Sequence, residues 1–136
     1  MSDTIFPLRS VLYVPGINER ALVKARTLPA DALILDLEDA VAPTRKTEAR
    51  LALVAALATG DFGAKLVTVR INPLSSDWGR EDLKALGALP LRKAPQAIVL
   101  PKVESADEIL FAARDMHEAG LPDHTAIWAM METPRG

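Results

Sequence analysis

Short apolar runs of strand length alternate along this chain with longer stretches whose apolar residues recur at helical spacing. Val11 to Val14 predicts a first strand, ended by Pro15-Gly16. Asn18 to Leu28 predicts a helix with Asn18 as its N-cap. Ala32 to Leu37 is apolar throughout except for Asp36, which suits a strand buried on both faces. From Thr44 to Leu57, the spacing of Ala49, Ala52, Leu53, Ala56 and Leu57 predicts a second helix. Leu66 to Ile71 follows as a third strand, Glu81 to Leu86 as a short helix and Ala97 to Val103 as a fourth strand, with Pro101 near its end. Ser105 to Ala119 reads as a helix with Ser105 at the N-cap and Glu108 at capping-box spacing. Ala126 to Met131 is the fifth strand.

The order βαβαβαβαβ predicts an α/β fold with a parallel sheet and right-handed crossovers. Two architectures accommodate five such units. An open doubly wound sheet would be complete at this length. A (β/α)8 barrel would not, because closing one takes roughly 200 residues or more. Hydrophobic pattern alone leaves both open.

Composition narrows the functional classes. The chain has 136 residues, of which 49% are hydrophobic and 25% charged, with a net charge of −2. That balance suits a soluble globular domain and argues against nucleic-acid or anionic-membrane binding. No apolar run reaches the roughly eighteen residues of a membrane span, and Met1 to Arg9 lacks the basic-then-apolar form of a signal peptide. The chain has no cysteine and two histidines, which excludes disulfides, thiolate nucleophiles and Cys- or His-rich metal sites. A cytoplasmic location is expected.

In both architectures functional groups collect at the carboxyl ends of the strands, and here those ends are polar. Asp36, Glu38 and Asp39 end the second strand, Arg70 and Asn72 the third, Lys102 and Glu104 the fourth, Glu132 and Thr133 the fifth. Strand alternation puts Asp36 and Glu38 on one side of the backbone, and Arg70 and Asn72 together by the same rule. Each residue alone has a structural reading. Asp39 or Glu104 would cap the following helix, Arg70 would pair with Asp36 or Glu38, and Lys102 would be a solvated loop residue. A purely structural rim, however, does not require charged groups from four successive strands. Carboxylates without His or Cys suit a hard cation such as Mg²⁺, and arginine suits a carboxylate or a developing oxyanion. Together they are the equipment for aldol- or Claisen-type chemistry on a small oxo or hydroxy acid. There is no dinucleotide-binding glycine motif, no Walker lysine motif and no serine nucleophile elbow.

Arg9 to Gly16 (RSVLYVPG), Lys24-Ala25, Leu35 to Pro43 (LDLEDAVAP), Lys46, Ala49-Arg50, Val69 to Asn72 (VRIN), Leu100 to Glu104 (LPKVE) and Glu132 to Gly136 (ETPRG) occur in that order. In this the chain resembles the citrate lyase β-subunit and malyl-CoA lyase branch of the HpcH/HpaI aldolase and citrate lyase superfamily, across essentially its whole length. The LDLEDAVAP block is the most specific part. The wider superfamily also holds class II aldolases acting on 2-oxo acids. The resemblance implies a (β/α)8 barrel and Mg²⁺-dependent carbon–carbon cleavage of a 3-hydroxyacyl thioester (malyl-CoA, citramalyl-CoA or a citryl thioester). The products would be an acyl thioester and an oxo acid. By motif, Glu132 resembles the first protein ligand of Mg²⁺, and Arg70 the arginine that holds substrate and stabilises the enolate oxygen. Glu38 and Asp39 resemble the acids that order metal-bound water and that arginine, with Lys46 either in their network or a surface helix lysine. Tyr13 and Lys24 fall where relatives contact the CoA or acyl-carrier portion of the substrate.

The family's second metal ligand is an Asp after strand six, about a strand and a helix beyond Glu132. Residues 1–136 are therefore expected to be an incomplete barrel lacking strands six to eight. An isolated 136-residue product is expected to be poorly stable, with an open sheet edge and little or no lyase activity. The full-length relative would be a homo-oligomer. The competing readings are a class II 2-oxo-acid aldolase using free aldehydes, and an inactive truncated chain serving only as a binding or assembly partner.

Overall fold

The computed structural model describes residues 10–63 and 65–130. Five parallel strands, β1 (Val11–Pro15), β2 (Ala32–Asp36), β3 (Leu66–Arg70), β4 (Ala97–Leu100) and β5 (Ala126–Ala129), form one sheet in the order β1-β2-β3-β4-β5. The crossovers are α1 (Glu19–Ala25), α2 (Lys46–Thr59), α3 (Asp77–Gly87) and α4 (Ala106–Ala119), with 3₁₀ turns at Pro43–Arg45 and Leu91–Lys93. A doubly wound sheet reverses its strand order at a switch point; this order runs unbroken. Right-handed crossovers then place every helix on the same face, and each helix packs against the next. That is the arrangement of consecutive units in a (β/α)8 barrel.

Alternation along the strands divides the sheet into two faces. Val14, Leu33, Leu35, Val67, Val69, Ile98 and Leu100 join a single core with Leu22, Leu53, Leu83, Leu86, Ala112 and Met116 of the helices. Ile34, Thr68 and Val99 belong to the opposite face, where they are buried on the central strands, while Val11 and Tyr13 on the edge strand β1 are nearly half exposed. Among the described residues no helix is long and apolar enough to cross a membrane.

Element ends depart from the predicted ones for local reasons. Helix α1 stops at Ala25 rather than Leu28, because the Thr27 hydroxyl donates to the Lys24 carbonyl and Pro29 disfavours helical geometry at residue 28. Helix α3 starts at Asp77, four residues before the predicted Glu81, with Ser76 accepting from the Gly79 N–H. Gly79 argues against a helix by propensity, yet it is required here: a Cβ would lie 2.3 Å from the Pro73 carbonyl oxygen. Strand β4 stops at Leu100 because Pro101 supplies no N–H and Lys102 takes a left-handed conformation, φ 52°. The Glu108 carboxylate accepts from the Ser105 N–H at 2.8 Å, as the capping-box spacing predicts.

Candidate functional site

The carboxyl end of β2 organises the rim. Asp36 and Arg70 are register partners on neighbouring strands, so their side chains project from the same face directly opposite each other. They form a bidentate pair: Arg70 Nε donates to Asp36 Oδ1 at 2.9 Å and Nη2 to Oδ2 at 2.7 Å. Asp36 also accepts from the Glu38 N–H at 2.9 Å and the Ala40 N–H at 3.1 Å. It therefore caps the loop that follows its own strand, whereas Asp39, expected as a cap for the following helix, is exposed, and neither the 3₁₀ turn nor α2 has a side-chain cap. Burial alone would raise the Asp36 carboxyl; the Arg70 hydrogen bonds and the two backbone donors outweigh it and hold the group below the usual carboxylate range.

Arg70 is buried and turns a different edge to each neighbour. Its guanidinium lies over the Tyr13 ring of β1, 5.2 Å from the centroid, and among the described residues Nη1 meets only a weak acceptor, the Met130 sulfur at 3.4 Å. The Asp36 hydrogen bonds push its pKa further up, so it is a permanent cation. The structural ion pair anticipated for Arg70 thus exists, and among the described residues no carboxylate meets Nη1.

Glu38 is also buried. One carboxylate oxygen, Oε1, is 3.7 Å from Arg70 Nε and has no hydrogen-bond partner among the described residues; the other, Oε2, is 3.2 Å from Lys102 Nζ. Burial raises the Glu38 carboxyl, Lys102 pulls it down, and Asp39 beside it raises it again, with a net upward shift. Lys46 is not a surface lysine. It is buried in the first turn of α2, donates to the Leu37 and Glu38 carbonyls at 3.1 and 2.6 Å, and lies over the Trp78 ring at 5.6 Å. Gly16 closes the rim on the β1 side: its N–H donates to the Asp36 carbonyl at 2.8 Å, and a Cβ there would sit 2.9 Å from that oxygen.

The two carboxyls carry opposite pH signatures. Asp36, depressed on folding, stabilises the native state above its ordinary pKa, near 4, and that stability is lost as pH falls toward the folded value. Glu38, raised on folding, favours the native state when protonated, and that contribution is lost as pH rises from its ordinary range through the higher folded value. The thermal midpoint of the wild type minus that of Glu38→Gln should therefore increase as pH is lowered from 7 toward about 4. A difference that stays flat over this range would show that Glu38 is not perturbed by folding.

One pairing expected from alternation does not form. Asn72 lies beyond the end of β3 and turns away from Arg70. Its N–H and Nδ2 both donate to Asp82 Oδ2, at 3.0 and 2.8 Å, while Arg50 Nε donates to Asp82 Oδ1 at 2.8 Å. Strand periodicity stops at Arg70, and the buried carboxylate of α3 captures Asn72 instead. The sequence reading includes Arg50 only in the Ala49-Arg50 piece of the resemblance, without a role, and does not pick out Asp82. The available signal is a carboxylate on the same helical stripe as Gly79, Leu83 and Leu86, all buried. Lys24 is exposed in the last turn of α1 and does not join the cluster. Glu132 lies outside the described residues. Among those described, no three His, Cys, Asp or Glu side chains come together as a metal site.

An unbroken series of βα units with charged groups gathered at the carboxyl ends of its strands defines a segment of the (β/α)8-barrel class. Residues 9–136 match the HpcH/HpaI aldolase/citrate lyase family, and the chain belongs to it. It is 46% identical over all 136 residues to a (3S)-malyl-CoA thioesterase of Cereibacter sphaeroides, of which it covers 44%. It is 45% identical over 107 residues, 79% of the chain, to the mitochondrial citramalyl-CoA lyase of Homo sapiens, covering 31% of that protein. Among solved structures, it resembles protein CitE from Mycobacterium tuberculosis in complex with magnesium, acetoacetate and coenzyme A. The TM-score is 0.69 at 30% identity, over 96% of this chain and 42% of that one. The chain thus spans less than half the length of the curated relatives it matches.

Proposed function

We propose that the chain supplies the first four βα units and the fifth strand of a (β/α)8 barrel, and that the whole barrel is a Mg²⁺-dependent carbon–carbon lyase. Its substrate would be the CoA or acyl-carrier thioester of a short 3-hydroxy acid, cleaved to an acyl thioester and an oxo acid. The observation that carries this reading is Arg70: a buried, permanent cation locked by Asp36 at the rim where barrel enzymes place their chemistry, with Nη1 meeting no carboxylate among the described residues. A fixed donor of this kind stabilises negative charge developing on a substrate oxygen without reorganising during the reaction.

The donor chemistry fits magnesium, a hard cation bound by carboxylate oxygens and water. Glu38 Oε1 is a buried oxygen without a donor among the described residues, suited to accept from a water or a substrate hydroxyl, with Asp39 beside it at the surface. Glu132 would be the first protein ligand. When bound, the ion supplies Lewis-acid stabilisation of oxygen charge. In cleavage, the substrate 3-hydroxyl loses its proton and the bond between C2 and C3 breaks. The hydroxyl proton passes to a base or water, the oxo acid departs, the electron pair remains as a thioester enolate facing Arg70, and one proton is delivered from that base or from water to C2. Tyr13 and Lys24, on the β1–α1 unit, would line the approach of the thioester's carrier portion, and the complete enzyme would be a homo-oligomer.

A second reading is favoured by one observation, the 46% identity to a malyl-CoA thioesterase. Hydrolysis would use the same cluster on the thioester carbonyl and leave the carbon skeleton intact. A product assay of the whole-barrel protein with malyl-CoA and citramalyl-CoA, with and without Mg²⁺, separates the two. Metal-dependent release of acetyl-CoA with glyoxylate, or with pyruvate from citramalyl-CoA, is expected. Malate and free CoA as the primary products would replace lyase by thioesterase. No consumption of either thioester would remove both.

A further inference from the structure

Lys102 stands out by its backbone. Among the described residues it is the non-glycine residue with positive φ, at 52°, a conformation that is disfavoured for a side chain bearing a Cβ. Most of its side chain is exposed to solvent. A lysine serving only solubility has no need of a strained backbone, and such strain persists where the surrounding structure fixes it, often at functional sites. Here the left-handed residue ends β4 immediately after Pro101 and sends the ammonium past the end of β3 to the Glu38 carboxylate of β2.

The charges around Glu38 explain why that contact matters. Asp36 and Asp39 come from its own strand end, Arg70 from β3, Lys46 from α2 and Lys102 from β4. Two nitrogens of Arg70, Nε and Nη2, donate to Asp36, and Lys46 donates to the carbonyls of Leu37 and Glu38. Among the described residues, Lys102 is the one whose side chain hydrogen-bonds the Glu38 carboxylate. It takes Oε2 and leaves Oε1 without a donor.

We propose that Lys102 is a positioning residue: its ammonium, delivered across the end of β3 by a left-handed backbone, holds Glu38 Oε2 and so turns the carboxylate with Oε1 beside Arg70. The role rests on the cluster being the reaction site proposed above. Glu38 is then available as a hydrogen-bond acceptor for a water or a substrate hydroxyl, and it would lose that capacity on protonation.

Three variants of the whole-barrel protein test this: Lys102→Gly, Lys102→Met and Lys102→Arg. Lys102→Gly removes the ammonium while relieving the backbone, so its denaturation midpoint should match or exceed the wild type. Glu38 is followed by carbon-13 NMR titration of the glutamate carboxyls, assigned with Glu38→Gln, and the pH profile of kcat/KM for malyl-CoA is measured in parallel. An opposite charge at this distance typically moves a carboxyl by one to three pH units. We expect the Glu38 midpoint to rise by at least about one pH unit in Lys102→Gly and Lys102→Met, the acid limb of kcat/KM to rise with it, and Lys102→Arg to restore both. A Glu38 midpoint that Lys102→Gly leaves unmoved would overturn the proposal. A protein inactive on thioesters would sink the lyase reading while leaving the Lys102–Glu38 titration to be decided on its own, so the two failures are distinguishable.

Discussion

Replacing Arg70 by lysine in the whole-barrel protein is expected to lower kcat about 10²- to 10³-fold, the loss typical of removing one fixed donor from an oxyanion site. The expectation follows from how the guanidinium is divided. Nε and one hydrogen of Nη2 are committed to the two oxygens of Asp36, while Nη1 meets only the Met130 sulfur among the described residues and can face a substrate. A lysine ammonium is a single point charge on a flexible stem and cannot hold a bidentate carboxylate while presenting a fixed donor elsewhere. The alanine variant would lose activity too, but less informatively: it leaves Asp36 buried without its cation, and breaking a buried pair from one side costs about 3–5 kcal/mol. Arg70→Lys is therefore the variant to assay, with its denaturation midpoint measured alongside. A folded Arg70→Lys protein that keeps wild-type kcat would reduce Arg70 to a structural ion pair.

Asp82→Ala is expected to be the most destabilising substitution outside the rim. The Asp82 carboxylate is almost completely buried and ties three elements together, accepting from Arg50 of α2 and from both nitrogens of Asn72 after β3, while itself belonging to α3. Removing it strands a largely buried guanidinium and two buried amide donors. The loss should be about 3–5 kcal/mol, a large part of the 5–15 kcal/mol that ordinarily holds a domain together. Asp82→Asn keeps the shape and one acceptor oxygen but gives up the charge, and should lose less, about 1.5–3 kcal/mol. Urea denaturation of the whole-barrel protein measures both as a change in midpoint at constant slope. A loss below about 1 kcal/mol for the alanine variant would mean that solvent or neighbouring groups replace the carboxylate readily.

Much of the architecture was legible in the hydrophobic pattern because burial imposes periodicity. β2 lies in the interior of the sheet and reads as an unbroken apolar run; α4 has an exposed face and reads as an amphipathic stripe between its cap and Gly120. The five strands and four helices therefore follow from the sequence, as do Asp36, Glu38 and Arg70 at the strand ends. The LDLEDAVAP block supplied the family, which residues 9–136 match.

What the sequence could not supply depends on contacts between residues far apart in the chain. The choice of barrel over open sheet by physical pattern requires the strand order, which local periodicity does not encode. The N-terminal half of α3 was hidden because Gly79 is a poor helix former in isolation, and only the backbone of residues 72–73 lying against it makes glycine necessary. Asn72 followed Arg70 by alternation until Asp82, ten residues on, drew it away. Lys46 and Lys102 read equally well as surface lysines. One is buried under Trp78, and the other crosses 64 residues of sequence to reach Glu38. The sequence determined which groups this protein brings to the rim. The tertiary structure decided which carboxylate each cation serves, because a side-chain charge has no preferred partner until packing sets the distances.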